Sequence, residues 1–264
     1  MVAAFFEAVL LGRVLKYQPE TPAQDYLVGL AQRAAAQVQG LRCLDQMSHF
    51  QLVVAGCRSL LELEVDASLV ANQAPADAVH RIETWERSSK LQYAEATLAY
   101  LQRKGECPGP TEAPLLDYIS RSKGKIEEKR KEFWPSKTGR TRHPTRWTGR
   151  DLGTDIRTVD RLEGTDLERF YETEYRRMSW QIHGSSLVGV RGLDLVSLAV
   201  EFSKAHKMSG QLALQMARVL VRETNLLDQK GLAALDLAEE QWRLITLQGL
   251  IHLENLQRSS GAEQ

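Results

Sequence analysis

Residues 44–72 read LDQMSHFQLVVAGCRSLLELEVDASLVAN, and this stretch decides the class of fold. It contains no proline and a single glycine, Gly56. Its apolar residues recur at three- and four-residue steps, namely Phe50, Val54, Cys57, Leu61, Val65 and Leu69. Because an α-helix turns once every 3.6 residues, this spacing predicts a long helix that is largely buried.

The same period continues on both sides of this stretch. Residues 1–15 are apolar and predict a helix of the core. Pro75 suits the first turn of a helix that ends near Gly105, because proline fits a first turn and glycine a helix end. Further helices are predicted over residues 115–134, 151–162, 166–183, 191–223 and 228–257. Since no series of strands alternates at period two, the sequence predicts an all-α, up-and-down bundle of long antiparallel helices.

Composition favours an ordinary globular protein of 264 residues with zero net charge. No apolar run reaches the length of about 20 residues that spans a membrane. The three cysteines, Cys43, Cys57 and Cys107, have no metal-ligand spacing, which favours a reducing cytoplasm. A phosphate-binding glycine loop, a hydrolase nucleophile elbow and paired zinc ligands are all missing from the sequence. We therefore expect no metal and no cofactor, in a single helical domain over residues 1–264 with an inserted basic helix and loop at 104–150.

One segment is strongly basic although the whole chain is neutral. Residues 121–150 contain eleven Lys or Arg against three Glu, a local net charge of +8. Prolines and glycines between Trp134 and Asp151 predict a loop within this segment. The loop contains the predicted RNA-binding residues Lys137, Arg140, Arg142, Arg146, Trp147 and Arg150. Cations can bind a nucleic-acid backbone while tryptophan stacks on bases. The alternative is a solvated face on which Trp147 only pins the loop to the bundle.

Residues 175–185, YRRMSWQIHGS, place arginine and histidine near one helix end. At about 100° per residue, Arg176 and His183 share a face, whereas Arg177 lies well round from His183. Glu172 and Ser179 join that face at helical steps. Arginine can hold a phosphate and histidine can move protons near neutral pH, so these residues are candidates for chemistry. The alternative is a histidine that caps a helix and a surface ion pair between Glu172 and Arg176.

A charged stripe on the long helix is formed by Arg58, Glu62 and Asp66 at four-residue steps. Charges on a mostly buried helix need partners. One interpretation has Glu62 or Asp66 positioning Arg176 or Arg177. The other is an internal salt-bridge network that fixes how two helices dock.

The Arg-Arg-x5-His arrangement resembles the arginine-x(4–6)-histidine motif of the HEPN (higher eukaryotes and prokaryotes nucleotide-binding) superfamily, with Arg177 and Arg176 both at a fitting distance from His183. The chain is also similar to a bacterial family of helical proteins without an established activity. That family carries Arg-x-x-x-Glu on an early helix, matched by Arg58 and Glu62, and Tyr-x-x-x-Ser-x-x-x-His-Gly-Ser later, matched from Tyr175 to Ser185.

The HEPN resemblance implies a metal-independent endoribonuclease, of the kind found among toxins and phage-defence effectors. It further implies a homodimer that brings two motifs to one cleft, RNA as substrate, and an antitoxin or defence protein as partner. Among metal-free reactions, an arginine and a histidine can support RNA cleavage by the ribose 2′-hydroxyl. The alternative function is a non-catalytic helical module that docks a partner protein or a nucleic acid.

Overall fold

A computed structural model describes residues 2–105, 109–135, 143–177 and 195–261. All regular secondary structure in these ranges is helical and none of it is strand, which confirms the predicted all-α class. The antiparallel order of the helices stays a prediction. The chain forms two compact units, one made of Met1–Asn72 with Ile156–Gln264, the other of Gln73–Asp155. The basic segment 104–150 lies within the second unit, which begins earlier, at Gln73.

The first unit contains short helices at its start and long helices in its core. Its helices are α1 (Val2–Phe5), α2 (Gly12–Val14), α3 (Pro22–Arg42), α4 (Phe50–Ala71), most of α7 (Leu152–Glu163), α8 (Leu167–Phe170), α9 (Leu195–Thr224) and α10 (Gln229–Gly261). A π-helical stretch, Phe6–Leu11, joins α1 to α2, and another, Tyr171–Tyr175, follows α8.

The core of the first unit lies where α9 packs against α4 and α3. Leu61 and Leu69 of α4 and Met216 and Leu220 of α9 are fully buried there. The predicted long buried helix is therefore confirmed as α4, and the predicted N-terminal core helix is confirmed by the buried Phe6 and its apolar neighbours. No sequence pattern described above predicts α3, which starts with Pro22 at a first-turn position and with Thr21 accepting a hydrogen bond from the Gln24 amide.

The second unit is built from α5 (Ala78–Lys104) and α6 (Glu112–Phe133), which pack against each other. Gly105 ends α5 with a φ of 71°, a left-handed conformation that glycine adopts at little cost, as the sequence predicts. The predicted start at Pro75 is wrong. Gln73 and Asp77 have left-handed φ angles of 49° and 58°, so the right-handed helix begins only at Ala78.

Candidate functional site

A tyrosine from the π-helical turn bridges two charged residues of α4. Arg58 Nη2 donates a hydrogen bond to Tyr175 Oη over 3.1 Å, and Tyr175 Oη donates to Glu62 Oε1 over 3.2 Å. The Arg58 guanidinium also lies 4.8 Å from the centre of the Tyr175 ring. A phenol can accept and donate at once, so one hydroxyl links a cation to an anion.

The Tyr175 hydroxyl is neutral near pH 7 at its ordinary pKa, and burial raises that pKa further. Only 8% of Tyr175 is exposed, and the loss of solvation raises the pKa of its hydroxyl above the ordinary value, while the hydrogen bond from Arg58 acts in the opposite direction. The hydroxyl therefore keeps its proton near neutral pH and remains a donor to Glu62. Arg58 Nε is buried and has no hydrogen-bond partner within the described ranges.

These contacts show the partners of Arg58 and Glu62 in the α4 stripe. In the described residues, Glu62 is bonded to Tyr175, and the ion pairs of Arg176 and Arg177 go to other carboxylates. Arg58 and Glu62 thus join α4 to the π-helical segment through Tyr175. The positioning of Arg176 or Arg177 by Glu62 or Asp66 stays a prediction. Asp66 lies one turn further along α4 and is half-buried.

We expect Tyr175→Phe to lower the free energy of unfolding by about 1–3 kcal/mol, because it leaves two partly buried charged groups without their shared partner. Urea unfolding of wild type and variant measures this difference. Tyr93→Phe is the matched control, since Tyr93 is an exposed tyrosine of α5. Equal losses in the two variants would contradict the bridging role.

The two neighbouring arginines have different environments. Arg176 Nη1 lies 3.0 Å from Glu172 Oε2 on the same helical segment, and 63% of the arginine side chain is exposed. Arg177 forms an ion pair with Glu174 and a second, over 2.6 Å, with Glu201 of α9, which is buried. Arg176 is thus open to an incoming anion, and Arg177 ties its segment to α9. The ion pair between Glu172 and Arg176, which belonged to the alternative interpretation of this motif, is observed.

The π-helical turn contributes to this difference. A π turn contains one residue more than an α turn, so every residue after it is rotated relative to a regular helix. Arg176 and Arg177 directly follow Tyr171–Tyr175. Their directions relative to α4 and α9 therefore depend on an irregularity that a helical wheel drawn at 100° per residue does not contain.

Other predicted site residues fall outside the described ranges. His183 and Ser179 of the catalytic motif do so, as do Lys137, Arg140 and Arg142 of the basic loop. Their roles stay predictions.

The described part of the basic segment is largely paired. Arg146 Nε and Arg150 Nε each lie 2.8 Å from a carboxylate oxygen of Asp155, which is fully buried. Trp147 between them is only 3% exposed. A buried carboxylate needs such partners, so Arg146 and Arg150 stabilise the second unit and Trp147 pins the loop within it. RNA binding by these three residues stays a prediction.

The cations of α6 are partly neutralised too. Arg121 pairs with Asp117 over 2.7 Å, Lys123 with Glu95 over 2.9 Å, and Lys129 with Glu132 over 2.6 Å. Exposed pairs of this kind contribute little stability, but they reduce the local field of the basic segment. Asp117 and Glu95 lie outside residues 121–150, so their ion pairs lower the charge offered to an RNA strand below the sequence count of +8, which already includes Glu132.

Sequence spacing did not predict a histidine cluster that lies in the second unit. His143 Nδ1 lies 2.9 Å from Ser88 Oγ and Nε2 lies 3.2 Å from Ser89 Oγ, while the ring stacks on Trp85. Burial, and then the charge of Arg130, lower the pKa of His143. The serines and the histidine are more than fifty positions apart, and helical periodicity carries no signal for contacts of that range.

Within the described ranges, His, Cys, Asp and Glu form no cluster that could hold a metal ion, and no helix is both long and apolar enough to cross a membrane. Comparisons of the chain with protein-family models, curated proteins and solved structures find no match.

Proposed function

We propose that the chain is a HEPN-like, metal-independent endoribonuclease in which Arg176 binds the scissile phosphate and His183 transfers protons. The observation that carries the proposal is the exposure of Arg176 on a segment anchored by buried contacts. Its partner, Glu172, lies on the same segment and is itself partly exposed, so a phosphate can compete for the guanidinium.

The reaction needs no group beyond the chain and the RNA. The ribose 2′-oxygen attacks the adjacent phosphorus, the bond to the 5′-oxygen of the next nucleotide breaks, and a 2′,3′-cyclic phosphate forms. His183 accepts the proton of the 2′-hydroxyl or supplies one to the leaving oxygen. Arg176 stabilises the charge that develops on the phosphorane.

The remaining features of the proposal come from the superfamily resemblance. A homodimer would bring two copies of the motif to one cleft, and an antitoxin or a defence protein would restrain the activity. The cytoplasm is the proposed compartment. Binding of the RNA strand by Lys137, Arg140 and Arg142 belongs to the same proposal.

We expect His183→Ala to lower the rate of RNA cleavage by about 10²–10⁴-fold and Arg176→Ala by about 10²–10³-fold, because each removes a group that acts in the transition state. Cleavage of end-labelled RNA in the presence of EDTA measures the rate and tests metal independence. The matched control is Arg42→Ala. Arg42 is 62% exposed and pairs with a surface glutamate, like Arg176. Normal cleavage by either site variant, or loss of cleavage in EDTA, would contradict the proposal.

The second candidate function is a non-catalytic binding module. The Arg177 ion pairs favour it, because they join the motif segment to α9 in the manner of a structural network. This function requires wild-type protein that binds RNA or a protein partner but does not cleave RNA.

A further inference from the structure

A groove of about 430 Å³ lies in the first unit between α9 and the segment formed by α8 and its π-helical turn. This volume falls within the range of small-molecule sites, which is about 300–1,000 Å³. The groove is on the same helical segment as Arg176 but is lined by other residues.

The lining combines an apolar side with two lysines. Leu167 and Phe170 are buried residues of α8, and Met208 faces them from α9. Lys204 and Lys207 stand one turn apart on α9 and line the same groove. Such a combination suits a ligand with a flat apolar part and an anionic part.

The carboxylates at the groove are already paired. Glu174 forms an ion pair with Arg177 and lies 4.0 Å from Lys204, while Asp166 lies 3.8 Å from Arg169. Among the described residues, no carboxylate lies within ion-pairing distance of the Lys207 ammonium. Lys207 is therefore the cation most open to an added anion.

A hydrogen-bond acceptor at the same groove also has no donor. Gln215 lines the groove, and its Oε1 is buried without a partner within the described part of the chain. A buried acceptor of this kind costs free energy until a donor reaches it. The N–H groups of a nucleobase are donors attached to a flat ring, so one ligand can meet both the acceptor and the apolar side.

We propose that this groove binds one nucleotide, with its phosphate on Lys204 and Lys207 and its base against Leu167, Phe170 and Met208. The nucleotide is either a free nucleoside 5′-phosphate or one unit of an RNA strand, and only the second source rests on the proposed ribonuclease function. In that case the groove places a neighbouring nucleotide of the substrate beside the Arg176 segment.

Isothermal titration calorimetry of the full chain tests the proposal with ligands that cannot be cleaved. The probes are adenosine 5′-monophosphate, inorganic phosphate, and a 2′-O-methyl trinucleotide. The variants are Lys207→Gln and Lys204→Gln, each checked for unchanged circular dichroism. Lys16→Gln is the matched control, since Lys16 is an exposed lysine of the same unit that does not line the groove.

We expect adenosine 5′-monophosphate to bind more tightly than phosphate, and Lys207→Gln to weaken its binding by roughly tenfold through loss of a charge-assisted hydrogen bond. The control should bind as wild type does. A Lys207-dependent affinity for the trinucleotide alone supports the groove and identifies a strand as the source. Phosphate binding as tight as nucleotide binding, no effect of Lys207→Gln, or no binding of any probe overturns the proposal. Calorimetry measures binding independently of cleavage. A chain that binds nucleotide through Lys207 but does not cleave end-labelled RNA therefore contradicts the ribonuclease function alone.

Discussion

Gly210→Ala is expected to lower the free energy of unfolding by about 1–3 kcal/mol, although alanine is normally the better helix former. A Cβ atom at Gly210 of α9 would overlap the indole ring of Trp242 from α10. The ring cannot easily move aside, because Trp242 Nε1 donates a hydrogen bond of 3.1 Å to the carbonyl oxygen of Lys207. The contact between α9 and α10 must therefore open.

Urea unfolding followed by tryptophan fluorescence measures this loss. Gly29→Ala is the matched control, since a Cβ at this helical glycine of α3 would meet no atom within 4 Å. That substitution should leave stability unchanged or raise it by up to about 1 kcal/mol. If the two alanine variants were equally stable, the close approach of α9 and α10 would be contradicted.

Glu64→Gln is expected to remove a pH dependence of several kcal/mol from the stability of the protein. Glu64 of α4 is only 1% exposed. Burial, together with the charges of Glu163 and Asp160, raises the pKa of its carboxyl from 4.5 to about 8, although the hydrogen bond from Ser68 opposes this shift. The folded state therefore holds a proton that the unfolded chain releases.

The sign follows from proton linkage. Below about pH 4 both states are protonated at Glu64, and the group does not oppose folding. Between the unfolded pKa and about 8, folding requires uptake of a proton, so stability falls as pH rises, by about 1.4 kcal/mol per unit for one group. Above that window the full loss remains.

Urea unfolding at several values between pH 5 and pH 9 tests this expectation. The difference in unfolding free energy between Glu64→Gln and wild type should grow in favour of the variant as pH rises. Glu240→Gln, at an exposed position of α10, is the matched control and should follow wild type. Parallel stability curves for Glu64→Gln and wild type would contradict the buried, protonated state.

The periodicity of apolar residues predicted much of the fold, because a helix that buries one face has apolar residues at three- and four-residue steps. It located α6, α7, α9 and α10 to within four residues at each end, whereas α4 begins at Phe50, six residues after the start of the stretch that predicted it. The start of α5 was wrong since left-handed residues at Gln73 and Asp77 leave no periodic signal. Both π-helical stretches were also missed, because one extra residue in a helical turn leaves no distinct pattern of apolar residues.

The candidate site was predicted less completely. Sequence spacing placed Arg58 and Glu62 on one face of α4, which the structure confirms, but it gave no indication that Tyr175 is their shared partner. Contacts between residues more than one hundred positions apart depend on tertiary packing and not on spacing. The groove beside Lys207 and the cluster around His143 likewise exist only because distant helices meet.

The insertion of Gln73–Asp155 within the first unit has a consequence for biosynthesis. The second unit is continuous in sequence, so a ribosome delivers all of it before the first unit is complete. The main partner of α4 is α9, which begins about 120 residues after α4 ends. Throughout that interval α3 can cover part of the apolar face of α4, but the part that packs against α9 has no native partner. We therefore expect a chaperone to bind the nascent chain and limit its aggregation. Ribosome-stalled chains that end before α9 should therefore retain a chaperone, and chains that include α9 should release it.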